Sequence, residues 1–286
     1  MTNSDIIDPL FRRAVEAIDN GDISLLQQLL ESNPELVTKR LDTPTEGYFQ
    51  YPYLLWFVAD NPIRHEKLPA NIVEISRLLI KFVRQYAKES FQQQIDYTYG
   101  LVETGRIPRE CGVQIGLIDV LIENGVTPGD AHGALANGNM EAAKHIINRS
   151  GKITLTAAVC LNLEADVKRL LPEATIEEKQ VALMAAAFYG NPDIIELLIK
   201  SGVDVNAYIK KGFHNHASPL HQAVSSASPE AVKLLVEAGA ALNATDKVYS
   251  GTPLGWAIYM QTEENDEMTK KKYKEIESYL SAEENK

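Results

Sequence analysis

The chain has 286 residues, of which 45% are hydrophobic and 23% charged, proportions of a soluble globular protein rather than a disordered one. A formal charge of −11 argues against nucleic acid, whose phosphates need a Lys/Arg face, and suits either general solubility or a basic partner. Apolar runs such as Leu54 to Ala59 are far short of the roughly 18 residues of a membrane span; no basic segment precedes an apolar one at the start, and Cys111 and Cys160 lack C-x-x-C spacing, which together predict a cytoplasmic protein with reduced core thiols.

Apolar residues at three- and four-residue spacing predict a succession of helix pairs. The first runs from Phe11 to Leu36, with Gly21 and Leu29-Leu30. The aromatic cluster Tyr48-Phe49-Gln50-Tyr51-Pro52-Tyr53 follows, readable as a finger that meets a partner or as a loop filling an irregular junction. Leu54 to Ala87 and Phe91 to Val126 keep the helix pairs, in Ile72-Val73 with Leu78-Leu79-Ile80 and in Leu117-Ile118 with Leu121-Ile122. Two fainter pairs, Asp130 to Ile147 and Leu155 to Leu171, precede the clearest ones, Ala182 to Ala207 and Ser218 to Ala244. Ser218-Pro219 and Thr252-Pro253 open helices, because the hydroxyl caps free amides and Pro tolerates the first turn. Gln261 to Lys272, with Glu263, Glu264, Asp266, Glu267 and then Lys270 to Lys272, predicts a charged, solvated loop. Beyond it Tyr273, Ile276 and Leu280 form one apolar stripe on a polar helix, as a terminal cap over 273–286 requires.

The last two clear pairs echo each other. Leu183 and Leu220, Ala186 and Ala223, Pro192 and Pro229, Leu197 and Leu234, Gly202 and Gly239, and Asn206 and Asn243 recur at a separation of 37 residues. A repeat of this length predicts a stack of units, each too small to bury its own apolar face. About eight units are expected, starting near residues 6, 51, 91, 130, 153, 178, 216 and 250, as one continuous domain over 1–286.

The pattern resembles the ankyrin repeat, whose T-P-L-H-x-A start stands here as Ser218-Pro219-Leu220-His221 with Ala223 and as Thr252-Pro253-Leu254 with Ala257. The resemblance implies an all-α solenoid of helix-turn-helix units with short hairpin fingers, acting as a monomer that binds another protein and has no catalysis, cofactor, metal or membrane contact of its own. It also places the last two residues of each first helix on a concave binding face. These are Asp19-Asn20, Asp60-Asn61, Ala136-Asn137, Cys160-Leu161, Phe188-Tyr189, Ser225-Ser226 and Tyr259-Met260. The insertion 207–217 lengthens one finger and carries Tyr208 and Phe213 as candidate anchors beside Lys210, Lys211, His214 and His216. The candidate partner-binding set is therefore Phe188, Tyr189, Tyr208, Phe213, Ser225, Tyr259 and Met260.

Two other functions stay open at this level. An immunity or inhibitor-type protein would use acidic surface to occlude a basic enzyme or toxin. An enzyme could be built around His214, His216 and His221, since three imidazoles can fill three of four zinc positions. Against a metal, Lys210 and Lys211 oppose a dication, no Asp, Glu or Cys falls between Tyr208 and His221, and the start motif gives His221 a structural place. No nucleophile elbow, phosphate loop or H-E-x-x-H is present in the sequence.

Overall fold

A computed structural model describes residues 5–42, 50–61, 63–210 and 212–286, and among these it contains helices and 3-10 turns but no strand. The chain is all-α and divides into two compact bodies, residues 1–152 and 153–286.

In the first body, Pro9–Asp19 (α1) and Ile23–Ser32 (α2) form the opening pair. Asp8 starts α1 by accepting from the amides of Leu10 and Phe11, with Pro9 in the first turn where a missing donor is harmless. A 3-10 turn at Pro34–Val37 follows, then Ile72–Tyr86 (α3), Phe91–Thr104 (α4), Arg106–Glu110 (α5), Gln114–Glu123 (α6), His132–Ala136 (α7) and Met140–Ser150 (α8). Leu54–Ala59, where a first helix was expected, is a short 3-10 turn. Its six residues are all buried, packed at once against α1, α3 and α4, so it lacks the solvent face of an amphipathic helix. Of the aromatic cluster before it, Tyr48 and Phe49 lie outside the described residues. Tyr53 fills the junction, edge-on to Trp56 at 5.4 Å and beneath the Arg40 guanidinium at 4.6 Å.

Asp60 ends that turn in the left-handed region at φ 48°, and its carboxylate accepts the amides of Arg64 (3.1 Å) and Glu66 (3.0 Å). Arg64 is buried, donates to Asp19 Oδ1 at 2.7 Å and to the Phe57 carbonyl at 3.0 Å, and lies over the Phe57 ring. Gly21 closes the approach from the other side: its carbonyl accepts Asn71 Nδ2 at 2.9 Å, and at φ 72° any Cβ would sit 2.7 Å from Asn71 Oδ1.

The second body is a regular series. Its first helices are Leu155–Cys160 (α9), Ile176–Phe188 (α11), Pro219–Ser225 (α13) and Pro253–Glu263 (α15), each packed on the next. Its second helices are Glu164–Leu170 (α10), Pro192–Lys200 (α12), Pro229–Glu237 (α14) and Glu267–Glu284 (α16), of which α12 packs on α14 and α14 on α16. Thr154, Thr175, Asn191, Ser218, Ser228, Thr252 and Asp266 each cap a helix through the side-chain oxygen. Ala185, Ala186, Ala187 and Ala223 are buried where the first helices meet, the small side chains allowing close approach, and Leu198 and Leu235 fill the second layer.

The helix pairs are also joined by hydrogen bonds through their turns. Asn206 donates Nδ2 to the Gly239 carbonyl (2.9 Å) and accepts the Ala241 amide (2.7 Å), fixing one hairpin to the next. Gly190 is confined in the same way: at φ 61° a Cβ would lie 2.8 Å from Ser226 Oγ. His221 donates Nε2–H to the Gly251 carbonyl at 2.9 Å, which leaves Nδ1 as the acceptor for the Ser218 hydroxyl at 2.7 Å.

The segment 261–272 departs from the expected loop. α15 continues to Glu263 and α16 begins at Glu267, so only three residues connect them. Asp266 accepts from the Thr269 amide and hydroxyl, both at 2.8 Å, and the following Lys and Glu residues are helix formers that read as loop only because they are charged. Tyr273, Ile276 and Leu280 are the buried residues of α16, and Tyr273 donates its hydroxyl to the Ser225 carbonyl at 3.1 Å.

Two outcomes follow from these contacts. Arg64→Ala leaves the carboxylates of Asp19 and Asp60 buried without their cation and is expected to lower stability in urea by about 3–5 kcal/mol, with Arg64→Lys losing less. An Arg64→Ala protein as stable as the parent would show those carboxylates to be solvated. Burial, only partly countered by the Gly251 carbonyl and Asp246, lowers the His221 pKa below its ordinary 6.5. The unfolded chain therefore binds a proton that the folded one refuses, and the contribution of His221, complete above pH 6.5, falls as pH drops below that value. Thermal melts should show a step of lost stability there that is absent in His221→Gln; identical pH profiles for both proteins would contradict the neutral, Nε2-protonated imidazole.

Candidate partner-binding surface

The two residues that end each first helix differ sharply in availability. Asp19 and Asp60, expected on a binding face, are buried and spent on Arg64. Asn137 is tied to its own helix, donating Nδ2 to the Gly133 carbonyl at 2.9 Å. In the second body Cys160 and Tyr189 come together along an open cleft with Val159, Asn162, Gly190 and Asn191, across which Asn191 donates to Asn162 Oδ1 at 2.7 Å. Burial pushes the Cys160 thiol up to about 12, so it is protonated and unreactive at neutral pH. Phe188 and Tyr189 are half-buried, Ser225 is half-buried beside the bond that Tyr273 makes to its carbonyl, and Met260 is half-buried next to Tyr259, which is 61% exposed.

The long finger 207–217 is a packed element rather than a free loop. Phe213, predicted to be an exposed anchor, is 1% exposed: its ring meets Phe188 edge-on at 5.7 Å, with Ile209 and Ala217 also buried. The insertion brings Phe213 against Phe188 of α11, which takes its ring out of solvent. His214, at φ 50°, stacks on Phe188 at 4.3 Å. Tyr208 is half-buried, donating its hydroxyl to the Thr245 carbonyl at 2.6 Å under the Lys247 ammonium at 4.7 Å. Lys211 lies outside the described residues. The three histidines are spread along an aromatic row, with His214 and His216 6.1 Å apart, His216 6.1 Å from Trp256 and His221 5.0 Å from Trp256. Among the described residues no group of three His, Cys, Asp or Glu side chains could hold a metal.

The neighbouring finger, residues 245–251, is built on Asp246. Its buried carboxylate accepts the amides of Tyr249 (2.7 Å), Gly251 (2.8 Å) and Val248 (2.9 Å) and the Trp256 indole N–H (3.0 Å). Burial alone would raise this carboxyl, but the four donors outweigh it and hold it down at about 2. With the backbone drawn inward, Val248 and Tyr249 are turned out, and Tyr249 is 80% exposed. Tyr249, Gly251, Gly255, Trp256, Tyr259 and Met260 then line one open cleft of about 510 Å³. Tyr249 and Trp256 escaped the sequence-based set. The signal was the Asp246 finger immediately before the Thr252-Pro253 start, at the same place in its unit as Tyr208 in the preceding one.

Comparison with known proteins supports the helical repeat. The family described as ankyrin repeats (3 copies) matches residues 131–209, and a single ankyrin repeat matches residues 215–247. The chain is also 35% identical over 79 residues to the Transient receptor potential cation channel subfamily A member 1 of Drosophila melanogaster. That match takes in 28% of this chain and 6% of the channel, so the chain spans a small fraction of that relative's length. No helix among the described residues is long and apolar enough to cross a membrane. Ankyrin repeats are in general modules for protein–protein interaction and not enzymes. Residues 131–209 and 215–247 of the chain thus carry ankyrin repeats.

Proposed function

We propose that the protein binds a partner protein through the ends of its C-terminal first helices and the finger between residues 245 and 251, and that it has no catalysis of its own. The observation that carries this reading is the contrast at the finger: four donors lock the backbone around Asp246, while Tyr249 and Tyr259 are left 80% and 61% exposed. Large aromatic side chains on a fixed frame lose little entropy on binding, which is the usual character of interface anchors. Phe188, Tyr189, Tyr208, Ser225, Tyr259 and Met260 are the contact residues, with Phe213 as the support beneath Phe188. In this reading the protein is a cytoplasmic monomer that contacts neither membrane nor nucleic acid, the last supported by its charge of −11. Its helix pairs act as one repeat domain, supported by a family match that runs unbroken through residues 152 and 153.

Affinity capture from native extract identifies the partner, and alanine variants then test the surface. Tyr189→Ala and Tyr259→Ala are expected to weaken binding by about 2 kcal/mol or more each with little change in melting temperature. Phe213→Ala is expected to do the reverse in order of cause, lowering fold stability by about 3–5 kcal/mol. Full affinity in both tyrosine variants would remove this face from the interface.

A further inference from the structure

The cleft in front of α15 has a composition that selects one chemistry. Three aromatic residues, Tyr249, Trp256 and Tyr259, line it, with Gly251 and Gly255 leaving room at its base. Among the described residues the ring contacts of Trp256 are with His216 and His221 and not with either tyrosine. Three aromatic side chains lining a gap of about 510 Å³ offer π-systems to whatever enters. The indole is further polarised by the carboxylate of Asp246, which accepts its N–H at 3.0 Å at the ring edge and is kept ionised by its four donors. Lys247, the nearest cation in sequence, is turned elsewhere, over the Tyr208 ring and onto the Asn215 carbonyl at 3.2 Å.

These features favour a cation over an apolar side chain, and one kind of cation over another. The Asp246 carboxylate is buried and its oxygens are taken by four protein donors, so it supplies field but no acceptor to an incoming group. A lysine ammonium would surrender strongly bound water for nothing to hydrogen-bond. A guanidinium is weakly hydrated, stacks its face on aromatic rings and keeps its N–H edge in the water of an open cleft. We propose that Tyr249, Trp256 and Tyr259 form a cage for an arginine side chain of the partner protein. This deepens the partner-binding reading above and rests on it.

The test uses the full chain and small probes. N-acetyl-arginine amide, its neutral isostere N-acetyl-citrulline amide and N-acetyl-lysine amide are titrated while the indole N–H signals are followed by NMR. Trp256 reports the cleft, and Trp56, the second of the two tryptophans and a buried one, is the internal control. The arginine probe is expected to shift the Trp256 signal saturably and leave Trp56 still. Citrulline and lysine probes are expected to bind about 2- to 30-fold more weakly, the range of a cation–π contribution, and Tyr249→Ala or Tyr259→Ala to weaken the arginine probe by a similar factor. Citrulline binding as well as arginine would make the cleft an apolar slot, lysine binding as well would make it a simple charge site, and no Trp256 shift with any probe would exclude the cage; each overturns the proposal. None of these results bears on the capture experiment, where Tyr189→Ala tests the wider surface independently of the cleft.

Discussion

No helix pair in the second body can bury its own apolar stripe, so the stability of each depends on the next one closing over it. That dependence is visible as both packing and hydrogen bonding. α9, α11, α13 and α15 pack in order through alanine-rich faces, while Asn206 reaches the following hairpin at Gly239 and Ala241 and His221 reaches the following finger at Gly251. The polar links matter beyond their modest individual energy, because they set the register in which one turn faces the next. A finger whose backbone bonds are satisfied by its neighbour is fixed without using its outward side chains. Those side chains are thereby free for a partner.

The two bodies solve the same problem differently. In the second, caps and small residues recur and the helices follow the repeat. In the first, the apolar run Leu54–Ala59 is buried on all sides as a 3-10 turn, and a buried arginine replaces the missing helix contacts by joining Asp19, Phe57 and the Asp60 turn. A buried cation is costly unless fully paired, which explains why two carboxylates and a carbonyl converge on it and why positions that elsewhere end a first helix at the surface are closed here.

What was legible in the sequence was whatever local chemistry fixes. Ser218-Pro219-Leu220-His221 announces a capped helix start, and Gly202 and Gly239 announce its end, because hydroxyl, proline and glycine act within a few residues of themselves. What was not legible depended on distant partners. Phe213 looks like an anchor until Phe188 is seen against it, and Asp19 looks exposed until Arg64 arrives from a segment 45 residues away. Gln261 to Lys272 looks like loop because charge density resembles solvation, although Asp266 caps a helix there. Tyr249 was overlooked although Asp246 stands three residues before it, because the three amide bonds and one indole bond that Asp246 accepts form only in the folded finger.

The central claim is that the finger is held rigid by its own repeat frame before any partner arrives. Hydrogen–deuterium exchange of the free protein measures this directly at the amides bound to Asp246 and Asn206. The account predicts that Tyr249, Gly251 and Ala241 exchange slowly, on the scale of the helical amides of α13, despite lying in turns next to exposed side chains. Exchange at the rate of an unstructured chain at those three amides would contradict it, and would make the 245–251 finger a mobile loop rather than a preformed surface.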